Sequence, residues 1–438
     1  MTNQLHEPRE IAIIGDRAEA LILSVLFAEA DTKCHLVGPF NNGDSVQTEK
    51  SEIGEAQWLL GLHQKSGAIK SSSDVDQIPV SRVGTVILTS HAARREDSNH
   101  LETAVRKIAS ELAEGSSLIY TGLCRPDYTR TNIQFWLEKY SGFKVGRSVG
   151  LCYMPLLWNE EPIQAFRERP KILASERTYP TPVQEVLLRV FPSMLSVASF
   201  RLAEAAGLLS AVSREVVQAL ELELAMISEN AGLDFSQLLD ICRTAGADFL
   251  TPSQKLPMTD SIASTILLED SNTRSVGRLV RMAKKVNEDF QGQVYRMIKH
   301  AVSRTGYSMR RSKVAILGLD WLPTASSGNV EFPEVVNALS RKCAKVAIYP
   351  GQGKSWNYQG TTSSNLKIES SALKALSNAN CALVGLRPSA SQGLDARTMA
   401  SEMTRPGAIC DLTGVMIASN VERAGLFYTS IGRGSKDT

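Results

Sequence analysis

From Ser193 to Asn230 the chain runs SMLSVASFRLAEAAGLLSAVSREVVQALELELAMISEN, with no proline and with apolar side chains at helical spacing. Proline inside a helix costs about 3 kcal/mol, so a stretch this long without one predicts a single continuous helix over Ser193–Asn230. It exceeds the usual globular helix and is expected to link domains or to form a subunit interface.

The sequence on either side has a different rhythm. IAIIG meets Gly15, and AEALILSVLFAEA follows with helical character before a second apolar run, CHLVG. TVILTS and SSLIYTG are two more short apolar runs, separated by the helix-like NHLETAVRKIASELAEG. Short buried strands alternating with helices predict a parallel sheet covered on both faces. Beyond the long helix, DFSQLLDICRTAG and RLVRMAKKVNEDFQGQVYRMIKHAVSR continue in helical pattern. The strand rhythm returns with SKVAILG, AKVAIYP, CALVGLRP and AICDLTG. The predicted class is α/β: two Rossmann-like doubly wound domains joined by a central all-helical domain. Its expected boundaries are 1–190, 191–307 and 308–438.

Composition narrows the function classes. A formal net charge of +2 gives no basic surplus that calls for nucleic acid. Seven cysteines (34, 124, 152, 242, 343, 381 and 410) lie singly with no CxxC pair, as expected of reduced, buried thiols in the cytoplasm rather than of a zinc site. The longest apolar stretch, ALILSVLFAEA, is too short to cross a bilayer. MTNQLHEPRE has no signal-peptide pattern, so a cytosolic location is expected.

Several strings then occur in a telling order. AFRERPKIL, RLAEAAGLL, ELELAMISENAGLD, KVAILGLDWLP and LFYTSIGRG resemble, in sequence and spacing, segments of the nucleotide-sugar 6-dehydrogenases. That family includes the UDP-glucose, GDP-mannose and UDP-N-acetylmannosamine dehydrogenases. The resemblance implies two successive NAD-dependent oxidations of a sugar C6 alcohol. They proceed through a cysteine thioester, with lysine and asparagine on the oxyanion and a glutamate organising hydrolysis.

The positions that carry this chemistry have changed. A Rossmann turn needs G-x-G-x-x-G, whereas the chain has Gly15, Asp16, Arg17 and Ala20. Ala20 serves as a third member, but the Arg17 side chain fills the space that phosphates require. Arg17 gripping a phosphate in another pose is the competing reading. Gly38 stands where an acidic residue should hold the adenosine ribose. Two threonines expected near the nicotinamide correspond to Ala92 in SHAA and Leu123 in GLCRPD. The family's glutamate, lysine and asparagine correspond to Leu156, Gly207 and Ala211, and its cysteine to Lys255 in TPSQKLPMTDS. Gly207 inside a helix costs about 1 kcal/mol against alanine, which suggests close packing. Glu160 and Glu161 are expected to be solvated, Lys255 a surface lysine, and Cys242 a buried packing residue. In the C-terminal part, Leu322 and Glu331 replace a lysine and an arginine of the family, while Asn287 and Arg433 are retained. Phe249, Leu250, Lys255 and Arg433 are candidates for substrate contact. The six histidines share no motif.

The expectation is therefore a family member without 6-dehydrogenase activity, serving binding, regulation or assembly. NAD is expected to bind weakly or not at all, no metal is expected, and a nucleotide sugar is a candidate ligand. The expected assembly is a homodimer through the central helix or a hetero-oligomer with an active relative. Two alternatives remain: a divergent NAD(P)-dependent oxidoreductase reusing the cleft, and a structural partner in a surface-polysaccharide complex.

Overall fold

A computed structural model describes residues 10–15, 18–38, 52–93, 95–157, 162–175, 181–246, 262–269, 277–318, 334–351, 364–386 and 394–433. The chain divides into two compact units: Met1–Val212 with Ile262–Val276, and Ser213–Ser261 with Gly277–Thr438.

Among the described residues of the first unit, eight strands form one sheet: β1 (Ile11–Ile14), β2 (Cys34–Val37), β3 (Ile69–Ser72), β4 (Thr85–Leu88), β5 (Ser117–Tyr120), β6 (Gly150–Tyr153), β7 (Lys171–Ala174) and β8 (Met194–Val197). Their order is β3-β2-β1-β4-β5-β6-β7-β8. All neighbours are parallel except β6 and β7, which meet antiparallel at Tyr153 and Ala174. The four residues of β1 are all buried because both faces of a parallel sheet are covered. Ile11 and Ile13 enter one core, with Phe27, Phe166 and Phe191. Ala12 and Ile14 enter the other, with Tyr120, Trp136 and Phe200.

The second unit repeats the plan with β9 (Lys313–Leu317), β10 (Lys345–Tyr349), β11 (Leu366–Ile368), β12 (Cys381–Val384), β13 (Gly407–Asp411) and β14 (Leu426–Ser430). These lie in the all-parallel order β11-β10-β9-β12-β13-β14. Val314 and Ile316 face one core, Ala315 and Leu317 the other.

The long helix spans Phe200–Asn230 rather than beginning at Ser193. Met194–Val197 instead pairs with β7, because the β-branched and apolar residues of MLSV find a sheet edge to complete. Six of the seven cysteines are buried, as expected, but Cys242 is exposed. It sits on the solvent side of the short helix Phe235–Thr244, which buries Leu239 instead.

At the end of β13, Asp411 is almost fully buried and ties down the loop that follows. Its carboxylate accepts from the backbone N–H groups of Thr413 (3.0 Å), Gly414 (2.9 Å) and Met416 (2.8 Å), and from the Tyr428 hydroxyl (3.2 Å). Asp411→Ala would leave these donors unmatched and should destabilise the second unit by about 2–4 kcal/mol, against about 1 kcal/mol for Tyr428→Phe. Urea unfolding of the two variants checks the order; equal losses would refute it.

Candidate functional site

Strand order reverses between β1 and β4, so the crevice of the first unit is the C-terminal margin of its central strands. Here glycines bring main chain against neighbouring atoms. A Cβ built on Gly15 would lie 1.8 Å from Thr89 Oγ1, and one on Gly122 would lie 1.9 Å from the Ser90 carbonyl oxygen. Thr89 donates both its N–H (2.9 Å) and its hydroxyl (3.3 Å) to the Ile14 carbonyl. The space above Gly15 thus belongs to Thr89.

Ala20 is fully buried in the helix Ala18–Glu29 and packs with Ile11 and Ile13, the close helix–strand contact expected of it. Gly38 follows β2 and donates its N–H to the Ser72 carbonyl at 3.1 Å. It offers no carboxylate to a ribose hydroxyl. Asp16 and Arg17 lie outside the described residues.

The two loops after β4 and β5 are joined to each other. Ala92 N–H donates to the Leu123 carbonyl (2.8 Å), and Leu123 N–H donates to His91 Nδ1 (2.9 Å). Ala92 and Leu123 are buried. His91 has a definite role that its sequence context did not reveal: its ring accepts a loop amide across 32 positions.

The long helix also meets the end of β6 at short range. A Cβ on Gly207 would lie 2.6 Å from Pro155 Cβ and 3.1 Å from Pro155 Cγ. Leu156 is 2% exposed and Ala211 6% exposed. The three positions matched to a glutamate, a lysine and an asparagine therefore carry no donor or acceptor side chain, and they are packed. Lys255, Phe249, Leu250, Glu160, Glu161, Leu322 and Glu331 lie outside the described residues.

One turn before Gly207, sequence reasoning missed a buried carboxylate. Glu204 is fully buried and accepts from the backbone N–H groups of Asp127 (2.6 Å) and Thr129 (2.7 Å), with the Cys124 thiol at 3.7 Å. It thereby satisfies orphan donors at the start of the helical segment that continues through Ser141. Asp127 adopts φ 70°, a left-handed conformation that aspartate tolerates better than most residues. Burial raises the Glu204 carboxyl above its ordinary range, more than the amide donors lower it. Burial likewise raises the Cys124 thiol, so it is not primed as a nucleophile.

In the second unit, Arg433 Nη2 pairs with Glu422 Oε1 at 2.9 Å and its guanidinium lies 4.9 Å from the Tyr428 ring centroid. Asn287 is buried and its amide donates to the Glu215 carbonyl at 3.0 Å. Among the described residues no cluster of histidine, cysteine or carboxylate side chains could hold a metal, and no helix is long and apolar enough to cross a membrane.

No family model matches the chain. It is 22% identical to a UDP-N-acetyl-D-glucosamine 6-dehydrogenase of Salmonella typhi over 361 residues, 78% of this chain and 81% of that one. It is 21% identical to a UDP-N-acetyl-D-mannosamine dehydrogenase of Pyrococcus horikoshii, covering 74% of this chain and 80% of the relative. Among solved structures, a UDP-D-ManNAc dehydrogenase from Pyrococcus horikoshii matches with TM-score 0.71 and 17% identity, covering 97% of this chain and 99% of that one. A UDP-glucose dehydrogenase from Pyrobaculum islandicum also reaches 0.71, at 13% identity and 99% coverage of both chains.

Two outcomes follow from the helix contact. Gly207→Ala gains about 1 kcal/mol of helix propensity, but the proline ring cannot rotate away, and overpacking of this kind costs about 1–3 kcal/mol. Gly207→Ala should therefore lower stability in urea unfolding; a stabilised variant would refute the contact.

The second concerns Glu204. A carboxyl raised on folding contributes stability that is complete below its ordinary range and is lost as pH rises through the raised value. The stability of the natural chain relative to Glu204→Gln should thus fall as pH rises above the ordinary carboxyl range of about 4.5. Urea titrations across that range test the sign, and a rising difference would contradict it.

Proposed function

We propose that this chain, a relative of the nucleotide-sugar 6-dehydrogenases in sequence and fold, retains their framework without their chemistry. It acts as a binding, regulatory or assembly partner in nucleotide-sugar or polysaccharide biosynthesis, in the cytoplasm. The approach of Gly207 to Pro155 carries this reading. The first side-chain carbon of a lysine there would already lie 2.6 Å from Pro155 Cβ, and Leu156 and Ala211 supply no acid and no amide. Without nucleophile and oxyanion donors, a thioester route would lose nearly all of its rate enhancement.

A dinucleotide in the usual pose is disfavoured for the same kind of reason. Thr89 occupies the approach to Gly15, and Gly38 has no carboxylate for the ribose. We propose that the segments 1–190, 191–307 and 308–438 keep distinct roles as degenerate cofactor domain, assembly region and sugar-nucleotide-type domain. Phe249, Leu250, Lys255 and Arg433 stand as the proposed ligand contacts of the last two.

Assembly is supported by the long helix. Leu202, Leu209, Leu220 and Ile227 are exposed, and at about 100° per residue they fall within about 20° of one line along it. That apolar stripe suits a second copy of this chain or an active relative.

Purified protein given NAD with UDP-glucose, UDP-N-acetylglucosamine or UDP-N-acetylmannosamine should form no NADH at 340 nm. Steady NADH formation abolished by a substitution at Lys255 would favour the divergent oxidoreductase instead. Leu209→Glu with Leu220→Glu should convert the assembled species to monomer in analytical ultracentrifugation. An unchanged sedimentation coefficient would place assembly elsewhere.

A further inference from the structure

The N-terminal margin of the second sheet, where its strands begin, concentrates positive charge. Arg310 and Arg311 form the short turn that leads into β9, whose first residue is Lys313. Arg341 and Lys342 end the helix that leads into β10, whose first residue is Lys345. Lys313 and Lys345 are directly opposite in the β9–β10 register, and Lys367 of β11 stands opposite Ala347, two positions along. Successive residues alternate faces, so these three lysines point to the same side of the sheet.

Few carboxylates answer them. Lys367 pairs with Glu369 at 2.9 Å, and Lys313 donates to the Ser377 carbonyl at 2.7 Å. Among the described residues, Arg310, Arg311, Arg341, Lys342 and Lys345 form no ion pair, and all five are exposed. Burial lowers the Lys313 pKa, and the charges of Lys345 and Lys367 lower it further while Glu369 opposes them. The chain as a whole has a net charge of only +2, so this margin is a local excess rather than the general character of the surface.

A second feature adjoins it. β11 ends the sheet, and among the described residues no strand pairs with its outer edge. Lys367 and Ile368 are exposed on that strand. Edge lysines often serve only to deter strand pairing, but five further cations on neighbouring elements exceed what that purpose needs.

We propose that this margin docks an acidic polypeptide segment, one extended stretch of which adds to the β11 edge through its main chain while the continuing chain crosses the strand starts and lays carboxylates along Lys345, Arg341 and Arg310. Main-chain pairing favours a polypeptide over a nucleic acid, which has no amide ladder to offer an edge strand. The guanidinium groups suit carboxylates because they hold them in bidentate pairs. The proposal goes beyond the reading of the first unit and does not depend on whether that unit binds a dinucleotide.

The test is fluorescence anisotropy of the full-length protein with a labelled peptide of alternating glutamate and valine. Binding should saturate and weaken steeply between about 0.05 and 0.5 M salt. Arg310→Glu with Arg341→Glu should weaken it about tenfold or more at an unchanged melting temperature. Arg147→Glu, an exposed arginine of the first unit, should leave it unaltered. A peptide with proline at alternate positions should bind several-fold less tightly, because proline removes ladder donors. Absence of binding, or equal loss with Arg147→Glu, would overturn the proposal. So would tighter, variant-sensitive binding of a DNA oligonucleotide of equal charge, which would assign the margin to nucleic acid.

Discussion

The distance of the long helix from the strand ends governs the first unit. With no side chain at Gly207, the helix lies against Pro155 closely enough that a single added methyl group would collide. Interiors are packed near crystal density, so a contact this close leaves no freedom for neighbouring side chains to project into the same space. Leu156 and Ala211, next along the strand end and the helix, are both buried. One helical turn earlier, the same proximity carries Glu204 under the loop after β5, where its carboxylate is fully used on the amides of Asp127 and Thr129. The polar groups at this margin bind each other: Thr89 the Ile14 carbonyl, His91 the Leu123 amide, Tyr153 the Gly122 carbonyl.

How much of this was legible in the sequence depended on the range of the interaction. Strands such as IAII and CHLV declared themselves because both faces are buried and every residue is apolar. IKSS, whose pattern is only part buried, and LKI, a sheet edge, gave no such signal. MLSV was absorbed into the predicted helix, since its lack of proline fits both states and only β7 decides between them. Gly207 could be identified as costly within a helix, and hence as a packing residue, from local propensity alone. That Pro155 is the atom it packs on required the fold.

Glu204 illustrates the opposite limit. Its neighbours in RLAEAAGLL suggested a framework string, but its hydrogen-bond partners lie 75 and 77 positions away. The exposure of Cys242 was missed for a related reason. Cysteine is usually buried, yet Phe235–Thr244 is a short amphipathic helix in which phase decides, and the phase places Leu239 inside and Ile241 and Cys242 outside.

These contacts also bear on what a substitution at any one of these positions would meet. A lysine at Gly207 requires Pro155 to move, and Pro155 adjoins Leu156, which is packed into the core with Phe166 and Phe191. Substitutions that share a packed contact do not add independently, and each reversal alone meets a neighbour already fitted to the present residue. The helix is held close to the strand ends where Gly207 meets Pro155. The apolar strands of the sheet answer to packing on its two faces, whereas Gly15 and Gly122 answer to the close approaches at the strand ends.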